Sequence, residues 1–94
     1  MSQARQPEVD PDDPQYAREY NRGWRLSESV KGSLDDLDRS GAPEAAYDGY
    51  YDSACGRQKW TWRKARRAGF EDMNAYLATL TENERRKAMG MREI

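Results

Sequence analysis

The chain contains no histidine and only one cysteine, Cys55. Without histidine, imidazole-based acid–base catalysis and histidine-activated nucleophiles are excluded. A single cysteine excludes a disulfide within the chain and a zinc site built on several cysteines. We interpret Cys55 as a small buried hydrophobic residue rather than a reactive thiol, because it falls beside Tyr51 and Trp62 on a predicted helix face. We therefore expect neither a metal site nor a cofactor.

Acidic residues occur in short groups, and none of them has the pattern of a known site. The groups are Asp35-Asp36 with Asp38, Asp48 with Asp52, and Glu71 with Asp72. The first lacks the following glycine and the distant glutamate of a calcium loop. The sequence also has no glycine-rich phosphate-binding loop. We interpret these groups as solvated or helix-capping charges, and we expect that the protein is not an enzyme.

Large aliphatic residues are scarce, and no apolar run is long enough to span a membrane. The chain also lacks the pattern of a signal peptide, so we expect a cytoplasmic protein. Six Tyr, three Trp and one Phe supply the apolar area that the aliphatic residues do not, since each aromatic side chain buries roughly 150–250 Å². This composition predicts one small folded domain with an aromatic core.

Charge is distributed unequally along the chain, although the net charge is only −1. Residues 1–56 carry six Lys or Arg against twelve Asp or Glu, whereas residues 57–94 carry ten against five. Two alternatives are open. Either the halves neutralise each other within one monomer, or they drive association, including the assembly of a homo-oligomer.

The beginning of the chain predicts a leader followed by a helix. Residues 1–12 are polar and acidic and contain two prolines, which predicts a disordered acidic leader before a single helical domain over 13–94. Asp13 followed by Pro14 is a typical helix start. Three aromatic residues then recur at intervals of four: Tyr16, Tyr20 and Trp24. The first helix is therefore predicted over 14–30.

A long second helix is predicted from Pro43, and Gly69 suits the position just after its end. At 100° per residue its two faces differ in character. One is mainly large and aromatic, and its residues are Tyr47, Tyr51, Cys55, Gln58, Trp62 and Ala65. The other carries a stripe of small residues, which are Gly49, Ser53 and Gly56, and this stripe ends in the indole of Trp60. Close approach of another backbone and a kink near Gly56 are the two explanations for the interior glycines.

A third helix is predicted from the periodic apolar residues Phe70, Met73, Tyr76, Leu77 and Leu80. Thr81 and Glu84 form a capping box that begins a short final helix over 82–89, and a similar box at Ser33 begins a short turn. The sequence therefore predicts an all-α protein, a small helical hairpin or bundle of three to four helices.

Residues 57–67 hold the densest concentration of positive charge and indole in the chain. One interpretation is an ordinary helix surface, and a second is a protein interface, since Trp and Arg are enriched at binding hot spots. A third is nucleic-acid binding, with phosphate contacts and a base stacked on Trp60 or Trp62. On one helix these indoles point about 200° apart, so they form no common platform, and we place Trp62 in the core. The basic residues of this alternative are Arg57, Lys59, Arg63, Lys64, Arg66 and Arg67.

Two segments repeat a tyrosine, a glycine and an aromatic residue: Tyr20-Asn21-Arg22-Gly23-Trp24 and Tyr47-Asp48-Gly49-Tyr50-Tyr51. They resemble the Tyr-x-x-Gly-Tyr segments of the ribosome modulation factor family and its phage relatives, small two-helix proteins that bind ribosomes. The resemblance covers residues 16–27 and 46–62, and the acidic first half and the unequal spacing depart from it. The run from Asp48 to Trp60 also resembles small accessory proteins of actinobacterial phages, which implies binding to a host protein.

These observations lead to one expected function and one alternative. We expect a non-enzymatic, helical protein-binding module, a phage-type accessory protein that binds a cellular host protein. The predicted partner-binding residues are Gly49, Ser53, Gly56, Trp60, Lys64 and Arg67. The alternative is a ribosome- or RNA-associated protein that uses Arg57, Lys59, Arg63, Arg66 and Arg67. No membrane partner is expected.

Overall fold

The computed structural model describes residues 10–92, and every regular element in that part of the chain is a helix. The helices are α1 (Pro14–Glu28), α2 (Leu34–Ser40), α3 (Glu44–Ala54), α4 (Thr61–Arg67), α5 (Met73–Ala78) and α6 (Glu82–Ala88). The predicted all-α class is confirmed. The predicted number of three to four helices is too low, because the long second helix is divided into α3 and α4 and the turn after Gly32 forms α2.

The helix starts follow the capping residues of the sequence. The Asp13 side chain accepts a hydrogen bond from the first turn of α1, and Pro14 is the first helical residue. Capping boxes that begin at Ser33 and Thr81 start α2 and α6. Because these caps satisfy amide groups that have no partner within the helix, they set the boundaries locally, before any tertiary packing.

α1 packs chiefly on α3, and a glycine of each helix makes the close approach possible. A Cβ atom at Gly23 would lie 1.8 Å from the Ala46 carbonyl oxygen, and one at Gly49 would lie 2.0 Å from the Tyr20 carbonyl oxygen. These glycines belong to the two repeated Tyr-Gly-aromatic segments. The repeat therefore encodes a contact in which each helix backbone occupies the space that a side chain of the other would need.

The long second helix predicted from Pro43 is wrong beyond Ala54. Gly56 adopts a left-handed conformation with φ of 72°. Its N–H donates to the Ser53 carbonyl at 3.1 Å, and the Arg57 N–H donates to the Asp52 carbonyl at 2.8 Å. This pair of bonds is a Schellman motif, which ends a helix at a glycine. Gly56 is thus a stop signal, and α4 begins only at Thr61.

The face of α3 that is buried is the opposite of the one predicted. Ala45, Ala46, Asp48, Gly49 and Asp52 are buried. The predicted core face is at the surface, where Tyr51 and Cys55 are exposed and Tyr47 is half-buried. The interpretation of Cys55 as a buried hydrophobic residue is therefore wrong. Small residues face α1 because the backbones approach too closely for large ones.

The core consists of two clusters that share one tryptophan. The first lies between α1 and α3 around Tyr16, Tyr20 and Ala45. The second joins α4, α5 and α6 through Ala65, Met73, Leu77 and Ala88. Trp62 packs against both clusters, as expected for the indole placed in the core. Its ring therefore connects the α1–α3 pair to the C-terminal helices.

The segment before α1 is described from residue 10 onward, and the rest of the predicted leader, residues 1–9, lies outside the described residues. The described part contacts α4. The Arg63 Nε donates to the Pro11 carbonyl at 2.9 Å, and Arg67 pairs with Asp12 at 2.5 Å. Within residues 10–92, none of the helices combines the length and apolar character needed to cross a membrane.

Candidate functional site

Two aspartates lie inside the protein, one turn apart on α3. Asp48 is 3% exposed and Asp52 is completely buried. The interpretation of this acidic pair as solvated charges is wrong. A buried carboxylate is costly unless charged or hydrogen-bonding groups surround it. The neighbours of these two residues must therefore provide such groups.

Asp52 connects three elements through its two oxygens. It accepts a hydrogen bond from the Tyr20 hydroxyl of α1 at 2.5 Å and one from the Arg57 Nε at 2.8 Å. It also accepts one from the backbone N–H of Trp62, the second residue of α4, at 2.8 Å. One carboxylate thus fixes the position of α1, the segment after α3, and the start of α4.

Asp48 has a parallel arrangement one turn earlier. It accepts from the Tyr16 hydroxyl at 2.9 Å and binds the Arg66 guanidinium through two hydrogen bonds of 2.8 and 3.0 Å. Arg66 also pairs with Glu44 at 3.1 Å. The guanidinium lies 4.6 Å from the centre of the Trp62 ring. Such bidentate pairing and stacking is a geometry that arginine provides and lysine does not.

These residues form the buried Tyr–Asp network, defined by Tyr16, Tyr20, Asp48, Asp52, Arg57 and Arg66. Burial raises the pKa of Asp48 and of Asp52, and the surrounding donors oppose that shift. Burial and the neighbouring aspartates together raise the pKa of both tyrosines. The carboxylates already hold several internal donors and are closed to solvent, so their role in the fold is to position helices.

Trp60 is held in place by this network. Its backbone has a φ of 76°, and it is the one non-glycine residue with positive φ among residues 10–92. Its N–H donates to the Tyr20 hydroxyl at 2.6 Å, while the same hydroxyl donates to Asp52. Its ring stacks on Tyr20 with 4.3 Å between the ring centres. A bulky residue in this conformation is strained, so the contacts that hold it there must outweigh the strain.

Around Trp60 lies a surface that we call the indole surface, composed of Trp24, Lys59, Trp60 and Arg63. Both indoles are half-buried. The Lys59 ammonium lies 5.7 Å from the centre of the Trp24 ring and 5.3 Å from that of Trp60. The Arg63 guanidinium lies 5.2 Å from the Trp60 ring. These are cation–π distances, so two positive charges and two aromatic rings share one part of the surface.

The predicted partner-binding residues do not share one helix face, because the helix that was to carry them ends at Ala54. Gly49 is buried against α1, Ser53 is half-buried, and Gly56 is exposed at the end of α3. Trp60 is half-buried. The remaining two residues are exposed on α4, and they are Lys64 and Arg67. That these residues bind a partner stays a prediction.

The basic residues of the nucleic-acid alternative make different contacts within the fold. Arg57 and Arg66 are paired with buried aspartates, and their side chains are only 13% and 11% exposed. Arg67 pairs with Asp12 at the surface. Lys59 and Arg63 belong to the indole surface. The run of positive charge seen in the sequence is thus partly neutralised within the fold.

Sequence reasoning missed the buried Tyr–Asp network and the place of Trp24 beside Trp60. A signal was present in the equal spacing, since Tyr16 and Tyr20 are four residues apart and so are Asp48 and Asp52. Two tyrosines and two aspartates on matching helical turns can pair across a helix interface. Within residues 10–92, no group of three or more acidic or thiol side chains is arranged to hold a metal ion.

No family model matches this chain, and neither the curated proteins nor the solved structures contain a significant match.

Proposed function

We propose that this protein is a non-enzymatic binding module that attaches to a cellular protein through the indole surface. The observation that carries the proposal is the state of Trp60. Its backbone is fixed by Tyr20 and its ring is stacked on one side, yet the residue is only half-buried. The fold thus keeps a large aromatic side chain at the surface in a strained backbone conformation.

A rigid indole suits protein recognition because little side-chain freedom is lost when a partner covers it. Tryptophan and arginine are the residues most enriched at binding hot spots, and here Trp24, Trp60 and Arg63 occur together. Arg63 is itself held by the Pro11 carbonyl at 2.9 Å. The surface is therefore preorganised by contacts that exist before any partner arrives.

The charge of the surface favours a partner with acidic groups beside an apolar contact. Lys59 has no ion pair with any residue in 10–92, and its ammonium lies over both rings. A carboxylate from a partner can pair with it while an apolar group covers the indoles. Electrostatic complementarity of this kind increases the association rate and the specificity more than the affinity.

Affinity capture from lysate of the host cell, with and without nuclease treatment, tests the proposal with two variants and a control. Trp60→Gly removes the indole and accepts the backbone conformation, since glycine populates positive φ readily. Lys59→Ala removes the central charge. Lys31→Ala is the matched control, because Lys31 is an exposed lysine between α1 and α2. Thermal unfolding of each variant verifies that it folds.

The expected result is one protein retained in stoichiometric amount by the wild type and Lys31→Ala, and strongly reduced with Trp60→Gly and Lys59→Ala. A protein retained equally by all four chains contradicts the assigned surface. Capture of ribosomal proteins or RNA only without nuclease supports the alternative, a ribosome- or RNA-associated protein. In that case binding falls steeply with added salt.

A further inference from the structure

A pocket separate from the indole surface lies where α4, α5, α6 and the segment after α3 meet. Its volume is about 300 Å³, which is at the small end of the range found for ligand-binding sites. Part of its lining comes from α4 and the residues just before it, which are Gln58, Thr61 and Lys64. The rest comes from α5, α6 and the residues between them, which are Tyr76, Leu80, Glu84, Lys87 and Ala88.

Hydrogen bonds between distant parts of the chain fix the walls of this pocket. The Gln58 N–H donates to the Ala88 carbonyl of α6 at 2.7 Å. The buried Thr61 hydroxyl donates to the Gln58 carbonyl at 2.6 Å and lies 3.4 Å from the Ala88 carbonyl. α6 is thereby joined to the start of α4, so the pocket is part of the folded domain.

The charges in the pocket sum to a single positive charge. Lys64 and Lys87 are exposed, and neither forms an ion pair with a residue in 10–92. The one carboxylate, Glu84, accepts the Thr81 N–H at 2.8 Å, and this hydrogen bond lowers the pKa of Glu84. The glutamate is therefore ionised at neutral pH and already engaged as a helix cap. Two ammonium groups remain to hold an anion.

The rest of the lining is apolar or amphipathic. Ala88 is buried, and Leu80 and Tyr76 are half-buried. The Tyr76 ring also contacts Phe70, with 5.8 Å between ring centres. An anion with a hydration shell on every side, such as inorganic phosphate, leaves this apolar surface uncovered. An anion attached to an apolar group covers it and gains the hydrophobic contribution.

We propose that this pocket binds a monocarboxylate attached to a small aromatic or aliphatic group. Lys64 and Lys87 hold the carboxylate, and Tyr76 and Leu80 contact the apolar group. A free small acid and the C-terminal carboxylate of a peptide share this chemistry. The proposal does not depend on the indole surface, because Lys59 and Trp60 take no part in the pocket lining.

Amide chemical shifts of the isotope-labelled chain test the proposal during titration with phenylacetate. The neutral phenylacetamide has nearly the same shape without the charge, and inorganic phosphate has charge without the apolar group. A short peptide ending in phenylalanine, as free acid and as C-terminal amide, distinguishes the two sources of the carboxylate. The variants are Lys64→Met and Lys87→Met, which keep the length of the side chain, with Lys31→Met as the matched control, because Lys31 is exposed between α1 and α2 and belongs to neither surface.

The expected result is saturable shifts at residues of the pocket with phenylacetate, with the free-acid peptide, or with both, and none with the amides. Each pocket variant should weaken binding about tenfold, since a charge-assisted hydrogen bond is lost, while Lys31→Met leaves it unchanged. Three results would overturn the proposal: no saturable shift with either acid, equal binding of phosphate, or equal binding by the two pocket variants and the control.

Discussion

At the scale of single residues, Asp52 joins three segments of the chain. It holds Tyr20, Arg57 and the Trp62 N–H within one buried site. Hydropathy patterns treat such a residue as a surface position, because a carboxylate inside a core is rare. Its burial follows from three donors converging from different segments, and these distances cannot be inferred from the sequence around residue 52.

Replacement of this carboxylate tests its role directly. Asp52→Asn should lower the free energy of unfolding by about 2–3 kcal/mol, because the neutral amide leaves the half-buried Arg57 without its counter-charge. Asp35→Asn is the matched control, since Asp35 is exposed at the start of α2. Its effect should stay within about 0.5 kcal/mol. Urea unfolding of both variants measures the difference, and equal effects would refute a structural role of the network.

Trp60 gives a second prediction at this scale. Alanine usually stabilises an ordered segment more than glycine does, and the φ of 76° at Trp60 reverses that order. Alanine at a left-handed position costs roughly 1 kcal/mol more than glycine. Trp60→Gly should therefore be more stable than Trp60→Ala by about that amount, although both lose the ring stacked on Tyr20. Chemical unfolding of the two variants checks this order. A more stable Trp60→Ala would show that the backbone is not left-handed there.

At the scale of elements, the sequence predicts where most helices begin and end and fails at one junction. Asp13, Ser33 and Thr81 mark helix starts through local hydrogen bonds, which are visible in the sequence. Gly69, expected just after the end of a helix, has a φ of 87° and follows α4. Gly56 was not identified as a stop, because the apolar periodicity continues across it. The choice between periodicity and a glycine stop depends on tertiary contacts.

The buried face of α3 was also misidentified, for a related reason. Large aromatic residues are expected inside because they bury the most area, yet Tyr51 is 41% exposed and Gly49 is buried. Close packing of two backbones selects small residues instead, and the aromatic area comes from Tyr16 and Tyr20 of the neighbouring helix. The interval of four between the aromatic residues of α1 is visible in the sequence, whereas the face of α3 that packs against them is not.

The contact between α1 and α3 predicts unequal effects of two glycine substitutions. Gly49→Ala places a methyl group 2.0 Å from the Tyr20 carbonyl oxygen, so it should destabilise by about 3 kcal/mol or more. Gly56→Ala meets no atom within 4 Å and should cost about 1 kcal/mol through its positive φ alone. Thermal unfolding compares them, and a harmless Gly49→Ala would exclude the close helix contact.

At the scale of the whole molecule, the acidic and basic halves of the sequence meet inside one chain. Arg57 and Arg66 pair with Asp52 and Asp48, and Arg67 pairs with Asp12 at the surface. These pairs favour neutralisation within the monomer over assembly through opposite charges. The sequence shows the imbalance of charge, whereas the individual partners follow from the turn at residues 55–60, which brings α4 back onto α3.

The buried tyrosines predict a loss of stability at alkaline pH. The pKa of Tyr16 and of Tyr20 is raised in the folded state, whereas a tyrosine in the unfolded chain has a pKa of about 10. Above that pH the unfolded state loses protons that the folded state retains, so the free energy of unfolding falls as the pH rises. For the two tyrosines together, the free energy of unfolding should fall by about 2 kcal/mol between pH of roughly 10 and 11.

Urea unfolding across this range measures the effect, and the Tyr16→Phe/Tyr20→Phe double variant is the control. The variant is expected to be less stable at neutral pH, because its two hydroxyls no longer reach the aspartates. Its stability should nevertheless decline less between pH of about 10 and 11, since phenylalanine does not titrate. Parallel declines in the two proteins would show that these tyrosines do not control the alkaline transition.

The most direct test of the account is the affinity of the captured partner protein for three purified chains: the wild type, Trp60→Gly and Lys31→Ala. We predict that Trp60→Gly loses at least about 2 kcal/mol of binding energy, roughly thirtyfold in Kd. Lys31→Ala should bind as the wild type does, because Lys31 is exposed between α1 and α2 and is not part of the indole surface. Equal affinity of folded Trp60→Gly and the wild type would contradict the claim that the indole surface is the binding site.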